Sequence, residues 1–397
     1  MATKNMKRGK TDESSSSSVI AAEKMPVLPL GLFVPLERKK GVQSIAWEDY
    51  EFTVPKPIIK MKHIAHDFVP FDIEVPVKPP FRVLRFDLDV EKIKIEDSSN
   101  GLLLCQGQKK MVVQNRRAIG YKYYVYNPSM NQYTTLPDPE YYLKSKHLGM
   151  TIAYDPSKSP HYKIIFVSSQ GSDIRFGTSY LIEIYSSETK TCKPVFPFTL
   201  DEEYDIYFGG GVYWNNAVHW HHKSGFILYF NLDKEVLGHI FCPFHLLRVS
   251  PELYCGYMYE SRGHLLVVEI PRAPDNVRYK IHELKKDYSG WIMKYRVDLE
   301  QVSRSFPEIV STTYRAADGS GFFHYTLLSL VLGEKDEDSF LVLEIPGKAI
   351  RFNILSRTCH KLLDFTGDPR SIRSFDFDGI YVHKPNTFQF AESLCSV

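Results

Sequence analysis

Cysteine is scarce. Cys105, Cys192, Cys242, Cys255, Cys359 and Cys395 are six in 397 residues, and no two have C-x-x-C spacing. A disulfide framework or a cysteine-based zinc cluster is not expected, and buried free thiols in a reducing compartment fit the count. Net charge is also nearly absent: 49 Lys and Arg against 47 Asp and Glu leave +2. Without a basic field, bulk electrostatic binding to nucleic acid or an anionic membrane is not expected. The longest apolar run, Leu327 to Leu332, is interrupted by Ser329, far short of the roughly 18 residues that span a bilayer. The N-terminus has no secretory h-region, and Asn127-Pro128-Ser129 fails as a glycan acceptor because of its proline. An intracellular protein, in the cytoplasm, the nucleus or both, is the expectation.

Catalytic motifs are missing as well. Asp318-Gly319-Ser320-Gly321 lacks the G-x-S-x-G spacing, and Gly347-Lys348 is not part of a Walker motif. Gly209-Gly210-Gly211 reads as a turn before a strand. His219 and His221 would share one face of a strand, as metal ligands might be placed, but no acidic or cysteine ligand lies near them in sequence. A strand leaving a hairpin, with the histidines capping its polar end, is the preferred reading. Asp201-Glu202-Glu203 and Glu334 to Asp338 read as solvated loops, and Arg116-Arg117 stands outside any broader basic surface. No catalytic, cofactor or metal residue is therefore assigned, and an enzyme assembled from distant residues stays open.

Aromatics are abundant: 25 Tyr and 25 Phe, against 23 Gly and 24 Pro. Such weight favours strands. Residues 1–25, with Lys4, Lys7, Arg8, Lys10 and the run Ser14 to Ser18, bury too little to order and read as a disordered tail. Residues 26–81 carry nine prolines from Pro26 to Pro80 and read as an extended arm with edge strands. From residue 82 the pattern becomes strand, Asn/Asp/Ser turn, strand. Tyr123 to Tyr126 turns at Asn127 to Asn131, Tyr180 to Tyr185 at Ser186 to Lys190, and Ile227 to Phe230 at Asn231 to Glu235. Trp291 to Val297 turns at Asp298-Leu299 toward Gln301-Val302, and Ala349 to Phe352 at Asn353 to Arg357. Gly211 to Trp214 turns at Asn215-Asn216, and Gly263 to Ile270 and Phe340 to Ile345 are apolar strands. Short polar side chains bond their own backbone and tolerate left-handed geometry at such turns. Repetition at blade-like spacing predicts an all-β propeller over 82–397, of about six or seven blades at roughly 45–50 residues each. Two β-sandwiches are the competing architecture.

A resemblance narrows this. Asp97-Ser98-Ser99-Asn100-Gly101-Leu102-Leu103-Leu104-Cys105 precedes Tyr123-Tyr124-Val125-Tyr126-Asn127-Pro128 and Thr134-Thr135-Leu136-Pro137. The order resembles the associated domain of plant F-box proteins. Ile152 to Pro156, Tyr162 to Ile165 and Ile182 to Ser187 continue it. Gly211 to Asn215 with His219-Trp220, and Phe388 to Leu394, complete it. The resemblance implies a kelch-like propeller over 82–397 that binds a protein substrate for a Skp-cullin-F-box ubiquitin ligase, with the transfer chemistry in other subunits. The Leu-rich F-box is not found. Met25 to Phe33 stands where it would be, and Pro26 and Pro29 forbid a helix there. The F-box is thus expected to be lost, which puts Skp binding in doubt. A stand-alone propeller scaffold is the alternative, and a propeller enzyme or small-ligand binder using His219 and His221 in the central channel the lower one. The partner surface is not readable; loops 169–177 and 315–321 are candidates by composition.

Overall fold

Short apolar runs along the chain are buried on both faces. In Leu102-Leu103-Leu104-Cys105, Leu102 and Leu104 enter one cluster, and Leu103 and Cys105 enter another on the opposite side. Ile164 and Phe166 diverge from Ile165 and Val167 in the same way. So do Leu265 and Val267 from Leu266 and Val268, and Leu341 and Leu343 from Phe340 and Val342. Side chains alternate across a strand, so an unbroken apolar run marks a strand covered on both sides. Small sheets that cover one another all round an axis make a propeller.

The computed structural model describes residues 29–35, 64–72, 74, 77–113, 116–139, 146–173, 177–200, 206, 208–222, 225–243, 254–271, 278–315, 321–323, 325–365 and 387–397. The chain order opens with β1 (Gly31–Pro35) and β2 (His66–Pro70). The first blade is β3 (Lys92–Ser99), β4 (Leu102–Val113), β5 (Arg116–Asn127) and β6 (Gln132–Thr135). The second is β7 (Lys146–Ala153), β8 (Lys163–Asp173), β9 (Gly177–Ser186) and β10 (Thr191–Leu200). The third is β11 (Val212–Trp214), β12 (Ala217–His221), β13 (Phe226–Asn231) and β14 (Val236–Phe241). The fourth is β15 (Tyr254–Ser261), β16 (His264–Pro271), β17 (Arg278–Leu284) and β18 (Trp291–Asp298). A short helix α1 (Glu300–Ser305) and a hairpin of β19 (Val310–Arg315) and β20 (Gly321–Phe323) lead to the fifth. That blade is β21 (Thr326–Val331), β22 (Phe340–Ile345), β23 (Lys348–Asn353) and β24 (Cys359–Asp364), and β25 (Phe388–Phe390) follows. The sixth sheet has the order β2-β1-β25 and joins the two ends of the chain. Inner strands neighbour one another around the ring: β25 and β3, β3 and β7, β7 and β11, β11 and β15, β15 and β21. The six apolar clusters fall one in each seam between adjacent blades.

Turn chemistry repeats with the blades. The third strand ends in Asn127, Asn231 or Asn353, and its side-chain oxygen accepts backbone N–H groups two and three residues on. Four residues after the strand end the chain is left-handed, at Asn131 (φ 51°), Lys190 (φ 55°), Glu235 (φ 52°) and Arg357 (φ 58°). The first hairpin of a blade closes on two left-handed residues, Asn100-Gly101, Asn215-Asn216 or Arg262-Gly263. That geometry matches the twist of the flanking strands.

The architecture is a propeller of six blades, at the lower end of the expected six to seven. The arm read as lying before the propeller supplies two of its strands. β1 pairs with β2 on one side and with β25 on the other. Proline density hid these strands, but Pro70 lies in the edge strand β2 and Pro35 lies beyond the pairing of β1 with β25, where a missing N–H is tolerated. The unit expected from Trp291 to Val302 is not a hairpin. Trp291–Asp298 is an outermost strand, and Gln301-Val302 belong to α1. Asp298 Oδ1 accepts the Glu300 N–H at 2.9 Å, and Arg304 pairs with Glu300 one turn away, so local helix signals prevail there. The tail at 1–25 lies outside the described residues.

Candidate recognition site at the axis of the propeller

Polar residues of the inner strands converge on the axis, and most of them fasten one blade to the next. Asp97 Oδ2 accepts the Ile152 N–H at 3.0 Å, from first blade to second. Asn100 donates to the Tyr154 carbonyl at 2.7 Å across the same seam. Trp214 Nε1 donates to the Gly263 carbonyl at 2.8 Å, from third to fourth. Ser261 Oγ accepts the Leu332 N–H at 2.9 Å, and Tyr259 donates to the Leu327 carbonyl at 3.1 Å, from fourth to fifth. Thr387 donates to the Leu328 carbonyl at 2.8 Å and Gln389 to Ser329 Oγ at 3.2 Å, from the closing strand to the fifth blade. Satisfied polar groups of this kind set the angular register that apolar packing alone leaves loose.

These strands enclose a cavity of about 100 Å³. Asp97 to Gly101, Ile152, Gly211 to Tyr213, Tyr259 to Arg262, Ser329 and Gln389 line it, so all six blades contribute. It is well below the roughly 300–1,000 Å³ of sites for drug-sized ligands and cofactors. Its lining includes first-hairpin turn residues, so it lies toward that end of the axis.

His219 lies in the seam between third and fourth blades, fully buried. Its Nδ1 faces the Val212 carbonyl at 3.3 Å and its Nε2 faces the Tyr288 hydroxyl at 2.9 Å. The proton sits on Nδ1 in that arrangement, and Nε2 accepts from Tyr288. Its ring stacks on Tyr288 at 5.8 Å and 13°. Burial pushes its pKa down to about 4. His221 is also pushed down to about 4, by burial first and by the neighbouring His222 second. His222 stacks on Phe226 at 4.0 Å. Among the described residues no group of three or more His, Cys, Asp or Glu gathers to hold a metal. Both depressed histidines stay neutral when the fold is intact and charge when it opens. Stability is therefore complete above about pH 6.5, the unfolded value, and falls as pH drops toward 4. Each group contributes a slope of about 1.4 kcal/mol per pH unit in that window. His219→Gln is expected to remove about half of this slope, read from urea unfolding at pH 7.0, 5.5 and 4.5. A slope equal to that of the wild type would refute the assignment.

Other sequence candidates have structural settings. Gly211 packs so tightly that a Cβ would meet Thr151 Oγ1 at 2.2 Å and Trp220 Nε1 at 2.8 Å. Asp336–Asp338 form a short 3-10 turn, where Tyr295 donates to Asp336 at 2.5 Å and Asn353 to the Glu337 carbonyl. Arg116-Arg117 open β5, with side chains outside the described residues, and Asp201-Glu202-Glu203 lie wholly outside them. Residues 174–176 and 316–320, the centres of the two candidate loops, are outside them too. Of the free cysteines described, Cys105, Cys242 and Cys395 are buried, and Cys192 and Cys359 are half-buried. Burial pushes all five thiols up. Sequence reasoning passed over Arg262, the only cationic side chain among the residues lining the cavity. The signal was an Arg-Gly turn where the first and third blades carry Asn.

Residues 76–259 match the family model of the F-box associated beta propeller domain. An F-box protein of Arabidopsis thaliana is 30% identical over 312 residues, spanning 76% of this chain and 70% of that protein. The chain belongs to the F-box-associated β-propeller family. The WD40 domain of SCAP from fission yeast has a TM-score of 0.32 at 14% identity, over 71% of this chain and 53% of that one. A structural-genomics protein of unknown function from Bacteroides thetaiotaomicron has a TM-score of 0.34 at 9% identity, over 68% and 56%. For this F-box-associated propeller the family relationship supports a protein-interaction module of the F-box type, a generally non-catalytic class.

Proposed function

We propose that this chain recognises a target protein, as the substrate receptor of a Skp-cullin-F-box ubiquitin ligase does. The observation that carries the reading is the 30% identity to an F-box protein over 312 residues. The inner-strand polar groups support it, because they hold blades in register and leave the rim and loops to bind. Ubiquitin transfer would then belong to other subunits, and the protein would work in the cytoplasm or the nucleus. Ligase membership is tested by pull-down of the full chain with a Skp adaptor. Retention of the adaptor is the expected result for a ligase subunit. Failure to retain it, with a target protein still captured, would establish the stand-alone propeller instead.

A further inference from the structure

Two left-handed residues close the first hairpin of the first, third and fourth blades, and at the leading position two carry Asn and the third Arg. Asn100 (φ 44°) and Asn215 (φ 49°) are residues that tolerate this conformation, and Arg262 (φ 53°) is not. The asparagines use their amides: Asn100 reaches the Tyr154 carbonyl and Asn215 the Lys286 carbonyl, each on another blade. The side chain of Arg262 makes no hydrogen bond or ion pair with any described residue. In the fourth blade, a backbone cost on the order of 1 kcal/mol is thus retained without the fastening that accompanies it elsewhere. A strained position whose side chain adds no fastening is where function is to be sought.

Arg262 lines the axial cavity. Arg262 is half-buried, and its guanidinium is planar and rich in donors, which suits a carboxylate held by two parallel hydrogen bonds. Asp97 and Glu260 line the same cavity, but both are engaged in the fold. Asp97 Oδ2 accepts the Ile152 N–H and Glu260 Oε1 accepts the Gly263 N–H at 2.7 Å. Their charges oppose a dianion such as phosphate beside Arg262 more strongly than they oppose a single negative charge. At about 100 Å³ the space takes one side chain and no cofactor-sized molecule. Ser98 and Gln389 add neutral polar groups to the wall.

We infer that Arg262 receives a carboxylate side chain of a bound protein at the mouth of the axial cavity. The inference deepens the recognition reading and rests on it. The test uses the full chain with three probes, Ac-Ala-Glu-Ala-NH2, Ac-Ala-Gln-Ala-NH2 and sodium succinate, titrated by NMR chemical shift. The Glu peptide is expected to saturate, and the Gln peptide to bind at least tenfold more weakly. Arg262→Asn restores the residue of the first and third blades. It should melt no lower than the wild type, yet lose Glu-peptide binding at least tenfold, while Arg262→Lys retains part of it. Three outcomes would overturn the inference: no saturable binding of the Glu peptide, equal binding by Arg262→Asn, or binding of succinate alone. Capture of one target protein equally by the wild type and Arg262→Asn would remove Arg262 from recognition and leave recognition standing. Peptide binding without capture of any target would do the reverse.

Discussion

Asn127→Ala is expected to destabilise the propeller by about 3–4 kcal/mol, from four amide contacts at one buried side chain. Asn127 is completely buried at the end of β5. Its Oδ1 accepts the N–H groups of Ser129 and Met130 at 2.9 and 3.3 Å, which shapes the turn into β6. Its Nδ2 donates to the carbonyls of Ser393 and Cys395 at 3.0 and 2.8 Å, more than 260 residues away in sequence. The chain end is thereby held across the first blade. Ser393 N–H adds a bond to Ser129 Oγ at 3.2 Å, and Cys395 joins the apolar cluster between first and second blades. Alanine leaves two carbonyls and two N–H groups without this partner, at roughly 1–3 kcal/mol for each one that stays dry. Asn127→Asp separates the two halves of the effect. It keeps the turn acceptor and replaces the donor by a negative charge facing two carbonyls. It is therefore expected to be at least as damaging as alanine, as judged by the midpoint of urea unfolding. A variant within 0.5 kcal/mol of the wild type, roughly the scale of a neutral surface change, would show that the tail does not bear on the fold.

What was legible from sequence and what was not follow one physical line. Runs such as Leu102 to Cys105 and Leu265 to Val268 announce strands because both faces of a blade are covered, and periodicity of apolar residues records coverage. The turns at Asn127, Asn231 and Asn353 are legible because asparagine performs a local task, bonding its own backbone, that distant contacts hardly alter. The closing blade was not legible. β1, β2 and β25 are three to five residues long, and their pairing joins segments more than 350 positions apart, so no local pattern contains it. The stretch Gln301-Val302 misled because a β-like Val sits in a segment where the Asp298 carboxylate on the Glu300 N–H and the Glu300–Arg304 pair favour a helical turn. At the site, His219 and His221 drew attention as polar residues, but they face a seam, and burial and Tyr288 explain His219. Arg262 was visible only by comparing equivalent turns, and equivalence needs the blades to be aligned first.

Phe33→Ala is expected to cost about 3–5 kcal/mol, the range for truncating a buried phenylalanine, and to loosen the ring at its join. Phe33 is fully buried in β1, the middle strand of the closing blade. It stacks on Phe81 at 4.2 Å and meets Phe68 at 5.3 Å and Phe390 at 5.8 Å. One ring therefore touches both partner strands and the segment leading to the first blade. Its cluster includes Ile93, Leu103, Tyr124 and Tyr126 of the first blade, so the cavity left behind would open the seam between sixth and first blades. The neighbouring seam has a different composition. Leu32 and Val34 point the other way, into the cluster with Leu328, Val331 and Val342 of the fifth blade. Leu32→Ala should cost about 2–5 kcal/mol and loosen the opposite side. Hydrogen exchange distinguishes the two: amides of β3 and β4 should lose protection in Phe33→Ala, and those of β21 and β22 in Leu32→Ala. Leu32 lines the axial cavity together with Arg262 and Phe33 does not, so Phe33→Ala is the variant that should retain Glu-peptide binding under conditions where it remains folded. Equal loss of protection throughout all six blades in both variants would mean that the propeller opens as one unit, with no separable join at the chain ends.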